Sequence, residues 1–327
     1  MRPARFFVSI ALGLVFMSAG AAAQTGGKVS RVGFLVTAAS PGAVALRDGI
    51  SRDLAQRGYV PDRTLAIEMR SADGKAVRLP GIAKELADSG VDVIVTTGYP
   101  AARAAKDASS IVPIVVNAAG DPVETGLAAS LSRPGGNLTG ISDMAAELSA
   151  KRLELLKAAV PGLKRVAMLW NADDLGMTTR YRAATAAAVT LGIAVQSLGV
   201  REPDDFDAAF AAMTREKPDG ILMVTDSLTV LNRKRVFEFA VAQRIPAIYE
   251  FDFLVRDGGL MSYGPDGKEV IARVAGLVDR ILKGAKPSDL PFEQPTRFRF
   301  VINKKVADAL GLTLPAAVLE RADEVIE

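Results

Sequence analysis

The chain contains neither cysteine nor histidine among its 327 residues. Disulfides, thiolate chemistry and Cys/His metal sites are therefore excluded. A serine nucleophile activated by histidine is excluded as well, because its general base is missing. Carboxylate, lysine and tyrosine chemistry stays open, as does a carboxylate-bound Mg²⁺ or Ca²⁺. Aromatic residues are sparse at 6%, with Trp170 the single tryptophan. No long basic run occurs: 40 Lys+Arg stand against 37 Asp+Glu. Nucleic-acid binding wants such residues clustered on one surface, so no nucleic-acid partner is expected. The short run "NRKRVFEF" (232–239) reads as a solvated helix face, with contact to a partner protein as the alternative.

The first residues, "MRPARFFVSIALGLVFMSAGAAAQ", hold Arg2 and Arg5, an apolar run from Phe6 to Met17, and Ala21-Ala22-Ala23 before Gln24. Charged n-region, apolar h-region and a small-residue cleavage site are the layout of a secretory signal. The run falls short of the ~20 apolar residues of a spanning helix. Cleavage after about Ala23 is expected, leaving an exported, soluble chain. No lipid-attachable cysteine follows, and the mature charge balance is 38 basic against 37 acidic residues.

From Lys28 onward, apolar runs alternate with helix-like stretches. "RVGFLVTA" (31–38), "TLAIEMRS" (64–71), "VDVIVTTG" (91–98) and "VPIVVNAAG" (112–120) read as strands. Helices are expected at 41–57, 77–89 and 100–108. Near-continuous apolar strands between helices imply parallel sheets covered on both faces. The series then restarts. "RVAMLWNA" (165–172) repeats "RVGFLVTA" 134 residues on, and Gly58 is matched by Gly192. "PDGILMVTDS" (218–227) and "IPAIY" (245–249) echo the later strands, with Pro246 answering Pro113. The expectation is an α/β fold of two Rossmann-like lobes. "RPGGNLTG" (133–140) marks the crossing between them, and its Asn137-Leu138-Thr139 sequon needs no glycan to explain it. The expected division is a signal at 1–23, a first lobe of 29–141 plus 256–288, and a second of 142–255 plus 292–327. The strand "GGLMSYGPD" (258–266) and the helix after it are thereby assigned to the first lobe.

Ligands of open parallel sheets bind beyond the carboxyl ends of the strands. The candidate ligand-binding residues are therefore those at the strand ends. In the first lobe they are Ser40, Thr97, Gly98, Tyr99, Asn117 and Asp121. In the second they are Asn171, Thr225, Asp226, Tyr249 and Glu250. Ser40 and Asp226 could equally cap the helices that follow them. Tyr99, Trp170 and Tyr249 are candidate ring platforms. The scattered carboxylates Asp73, Asp121, Asp226 and Glu250 have no catalytic spacing. Neither G-x-G-x-x-G nor G-x-x-x-x-G-K-[ST] occurs, so no cofactor is expected.

The stretches "PIVVNAAGDPVETGLAASLSRPGGNLTGIS", "MSYGPD" and "LPFEQPTRFRFVINKKVADALGLTLPAAVLERADEVIE" resemble the ABC transporter substrate-binding proteins of the tryptophan/tyrosine-binding type. These are a branch of the type I periplasmic binding proteins. The resemblance implies three crossover segments between two parallel-sheet lobes and a small-molecule ligand held where they close. It implies no enzyme activity, and delivery to an inner-membrane ABC permease whose ATPase is a separate protein. It also implies a monomer in the periplasm, and points again to Ser40, Thr97, Gly98, Asn117, Asp121, Asn171, Asp226 and Tyr249. A sensory module for a membrane receptor and a carboxylate-dependent periplasmic enzyme are the alternatives.

Overall fold

In a computed structural model that describes residues 28–118, 120–142 and 144–327, two sheets lie under separate helical layers. The expected signal at 1–23 lies outside the described residues. The chain first lays down β1 (Ser30–Val36), α1 (Pro41–Gln56), β2 (Leu65–Ser71), α2 (Leu79–Asp88), β3 (Val93–Thr97), α3 (Tyr99–Ala108), β4 (Ile114–Asn117) and β5 (Leu138–Ile141). These five strands form one parallel sheet in the order β2-β1-β3-β4-β5. The second series is α4 (Ala145–Ala159), β6 (Arg165–Asn171), α5 (Leu175–Thr190), β7 (Ala194–Val200), α6 (Asp205–Arg215), β8 (Gly220–Met223), α7 (Ser227–Leu231), α8 (Arg233–Gln243), β9 (Ala247–Tyr249), α9 (Asp252–Arg256) and β10 (Met261–Pro265). After α10 (Gly267–Leu282), the tail adds β11 (Phe298–Asn303), α11 (Lys304–Leu310), α12 (Ala316–Leu319) and β12 (Glu324–Ile326). The second sheet has the order β12-β11-β10-β9-β8-β6-β7.

Alternation along the strands explains the layers. Phe34, Val93 and Val95 pack towards α1 and α10, while Leu35, Ile94 and Ile114 pack towards α2 and α3. In the second sheet Val166 and Met168 join α4 and α5, and Ala167 and Leu169 join α6 and α8. All of these are buried. Each such large side chain contributes about 1.5–3 kcal/mol through removal from water.

Two expectations need correcting. The strand at 261–265 belongs to the second sheet, not the first, because Met261 and Ser262 pair in parallel with Ile248 and Tyr249. Only the helix after it returns, as α10, to pack on α1. Conversely Phe292 joins the first-lobe core. The second sheet is also not wholly parallel, since β11 runs antiparallel to β10. The reason is the path of the chain. β10 leaves its sheet towards the other lobe, and the returning chain enters beside it from that same end.

The turn before β5 places Gly135 and Gly136 at φ 71° and 64°. A side chain at Gly140 would collide with the Val116 carbonyl, so that strand approaches β4 only as glycine. Asn137 donates Nδ2 to the carbonyls of Ser109 and Val112 at 2.7 Å. Its amide is thus a structural pin.

The chain passes between the lobes three times: between β5 and α4, between β10 and α10, and ahead of β11. Ser142 N donates to Glu293 O and Asp266 N to Arg297 O, both at 2.9 Å, tying the passages together. Glu269 accepts from the Thr296 hydroxyl at 2.6 Å, from Arg297 N at 2.7 Å and from Arg273 Nε at 2.9 Å. Burial alone would raise its pKa. The Thr296 hydroxyl, the Arg297 amide and Arg273 outweigh burial and hold the carboxyl at about 2, below its ordinary 4.5. A lowered folded pKa stabilises above the unfolded value and is lost as pH falls through the folded one. Glu269→Gln should therefore lower stability by about 1–3 kcal/mol at pH 7. The difference from wild type should shrink as pH drops from 4.5 towards 2, measured by urea unfolding across pH.

Candidate functional site

Because the strands of each sheet are parallel, their carboxyl ends lie on one side. The two sets of ends form opposite walls of a cleft of about 1070 Å³. Thr37, Ser40, Thr97, Gly98 and Asn117 supply the first wall. Asn171, Thr225, Asp226 and Glu250 supply the second. Such a volume sits at the upper end of small-ligand clefts, ~300–1,000 Å³.

The walls approach one another at three places. A Cβ on Gly120 would lie 3.0 Å from Gly176 Cα, one on Gly74 would lie 3.1 Å from the Leu231 side chain, and one on Gly42 would lie 3.3 Å from the Phe253 ring. Arg180 Nη2 also donates to Ala118 O at 3.4 Å. The lobes therefore stand closed on each other.

The first wall is built from helix starts. Ser40 Oγ accepts from Ala43 N at 3.3 Å, so the hydroxyl caps α1. α3 begins at Gly98, at φ 78°, and has no side-chain cap. With Pro100 at its second position, the α3 N-terminus leaves backbone amides and the positive end of the helix dipole at the cleft.

Carboxylates and arginines dominate the second wall. Asp226 Oδ1 accepts from Thr229 N at 2.9 Å in a capping box, while Oδ2 accepts from Asn171 Nδ2 at 2.6 Å. Asp226 thus caps α7 and also lines the cleft. Glu250 is buried, with Arg152 Nη1 at 3.0 Å on one oxygen and Arg180 Nη1 at 2.8 Å on the other. Thr225 N adds a third donor at 3.1 Å. Glu250 therefore orders the arginines around it rather than offering a free charge.

Asp174 is buried beside this group and caps α5, accepting from Gly176 N at 2.8 Å and Met177 N at 3.3 Å. Burial, followed by repulsion from Asp226, pushes its carboxyl up to about 7.

Four expected residues do not reach the cleft wall. Tyr249 is 1% exposed and sits edge-on to Phe237, ring centroids 5.2 Å apart. Burial drives its phenol pKa far upward. It belongs to the core because its strand alternates, which leaves the next residue, Glu250, for the cleft. Tyr99 turns onto the core between α2 and α3. Asp121 spends its carboxylate on a turn, accepting from Val123 N at 2.7 Å and Glu124 N at 3.0 Å. Trp170 stacks on Tyr181 at 4.4 Å and lines no part of the cleft. The rings that do line it are Phe251 and Phe253.

Arg152, Arg180, Asp174, Phe251 and Phe253 were all missed by sequence reasoning. Asp174 alone carried a readable signal, as an N-cap residue ahead of a helix. The arginines come from mid-helix positions that only packing turns inward.

Among the described residues no group of three or more metal-ligating side chains forms a metal site, and no helix is long and apolar enough to cross a membrane. The family described as ABC transporter substrate binding protein matches residues 31–326. A curated tyrosine-binding protein of Clostridioides difficile (strain R20291) is 26% identical over 286 residues, 87% of this chain and 82% of that protein. A solved ABC domain from Streptococcus pneumonia in complex with L-Trp is 28% identical, covers 91% of this chain and 100% of its own, and superposes with a TM-score of 0.85. The ligand-free, open structure of an adhesive substrate binding protein from Clostridium difficile is 25% identical over 91% of this chain and 99% of its own, with a TM-score of 0.67.

An acid whose folded pKa is raised holds its proton in the folded state where the unfolded chain has lost it, so stability falls as pH rises between the two values. For Asp174 that window runs from 3.8 to about 7. Asp174→Asn keeps a capping oxygen without the charge. It should therefore gain on wild type as pH rises from 4 to 8, read as the difference in melting temperature at each pH.

Proposed function

Because the chain belongs to the ABC transporter substrate-binding proteins, with their type I periplasmic-binding fold, we propose that it captures an aromatic amino acid between its lobes. It then presents the closed form to an inner-membrane ABC permease driven by a separate ATPase. The family consists of substrate-binding proteins and not of enzymes. The observation that carries the reading is the convergence of both sheets' strand ends on one closed cleft.

The chemistry of the walls suits a zwitterion with an apolar side chain. An α-carboxylate matches the uncapped α3 N-terminus. An ammonium group matches Asp226, held in place by Asn171. The Thr225 hydroxyl is buried in the wall without a partner among the described residues, which favours a ligand that hydrogen-bonds there. Phe251 and Phe253 offer an apolar face for an aromatic ring.

A tyrosine-binding relative and an L-Trp complex support that ligand class. Superposition is better on the L-Trp complex than on the ligand-free, open relative, which supports capture by closure. In this reading the 23-residue leader is removed before Gln24 and the mature monomer works in the periplasm.

The test is thermal shift of the mature chain against L-tryptophan, L-tyrosine and a panel of other small solutes. A ligand at 100 times its Kd should add about 2.7 kcal/mol. Asp226→Asn should weaken binding at least ~10-fold, about 1.4 kcal/mol, while the melting temperature of the unliganded protein changes little because asparagine can still cap α7. If both amino acids leave the melting temperature unmoved and an unrelated solute raises it, the amino-acid reading fails. If Asp226→Asn binds like wild type, Asp226 is a cap only.

A further inference from the structure

We infer that Arg180 is the positioning residue that makes lobe closure depend on the floor of the cleft. The inference rests on the capture reading and concerns how the closed state is held. Arg180 lies on α5, is 3% exposed, and reaches three parts of the molecule with one guanidinium. Its Nη1 donates to Glu250 Oε2 at 2.8 Å and to Thr225 O at 3.3 Å, both in the second-lobe wall. Its Nη2 crosses to Ala118 O at 3.4 Å in the first lobe.

This hydrogen bond joins the lobes outside the three crossing segments. It lies where the lobes come nearest. Gly120 lies against Gly176 and Thr179, one turn or less from Arg180 on the same helix. Ala118 itself holds φ at 57°, an uncommon conformation for a residue with a side chain, which orients its carbonyl directly after the cleft residue Asn117.

Arg152 provides the internal comparison. It is equally buried at 4% and grips the other oxygen of Glu250. Its Nε also donates to Tyr263 O at 2.8 Å, within the second lobe. Both arginines support the floor, but Arg180 also touches the opposite wall. A contact made only when the lobes meet favours the closed state, and any ligand that favours closure gains from it. Lysine at 180 keeps the charge beside Glu250 but lacks the planar fork that serves both lobes at once.

The experiment compares Arg180→Lys with Arg152→Lys. The chain has no cysteine, so dye pairs can be placed by Ile111→Cys and Val189→Cys, which are 86% and 75% exposed and lie on different lobes. Single-molecule energy transfer then reads the closed fraction. In the ligand-free protein, Arg180→Lys should reduce that fraction about 3- to 10-fold, the scale of one ordinary hydrogen bond. Arg152→Lys should reduce it less than Arg180→Lys does, even where it lowers the melting temperature as much. With L-tryptophan as probe, Arg180→Lys should release faster by the same factor at an unchanged association rate.

An equal closed fraction in wild type and Arg180→Lys overturns the inference, whatever happens to stability. So does an equal loss in both lysine variants. If Arg180→Lys does not fold, Arg180→Gln carries the same comparison, because Glu250 keeps its ion pair with Arg152. A wild-type protein that ignores L-tryptophan refutes the amino-acid reading only, because the ligand-free closed fraction still judges Arg180.

Discussion

Parallel pairing is the constraint on which the rest of this molecule depends. Parallel strands all end on one side of their sheet, and each following helix begins there. The polar groups of the cleft are therefore mostly backbone consequences: strand-end side chains, helix caps and helix-start amides. Three passages of chain bring the two sets of ends together. Their bracing through Glu269, Thr296 and Arg297 keeps the lobes in register without a large interface. The antiparallel β11 follows from the same geometry, since a chain returning from the other lobe enters at the strand's cleft end.

Charge is concentrated on one wall. Arg152 and Arg180 bracket Glu250, and Asp174 and Asp226 lie alongside. Burying so many charges is unfavourable unless each is paired or hydrogen-bonded. Here every one of the five has a partner within 3.3 Å. Among the described residues the opposite wall carries no comparable cluster, and it presents hydroxyls and an uncapped helix start. A ligand with separated charges can satisfy both walls together, whereas a neutral apolar one would satisfy neither. Burial and the neighbouring Asp226 push the Asp174 carboxyl on this wall up to about 7.

Some of this was readable in the amino-acid order. The repeat of "RVGFLVTA" as "RVAMLWNA" appears as β1 and β6, which hold equivalent places, each second from the edge of its sheet beside β2 and β7. Ser40, Thr97, Gly98, Asn117, Asn171, Thr225, Asp226 and Glu250 all line the cleft, because a strand's end is marked by where its apolar run stops. Tyr249 failed by one residue. A strand alternates its faces, and a run of buried residues hides which face the last one takes. Aromatic rings near strand ends were also misleading: Trp170 stacks on Tyr181, Tyr99 packs on a core, and Phe251 and Phe253 reached the cleft from the start of a short helix.

The order of residues by itself determined two α/β lobes, their strands and the loops that would meet a ligand, since apolar periodicity and turn residues act over a few neighbours. Tertiary structure alone decided that β10 joins the second sheet, that Glu250 is claimed by two arginines, and that Arg180 spans the gap. The arginine contacts join residues 62 to 98 positions apart, and no local pattern encodes which distant partner a long side chain will find.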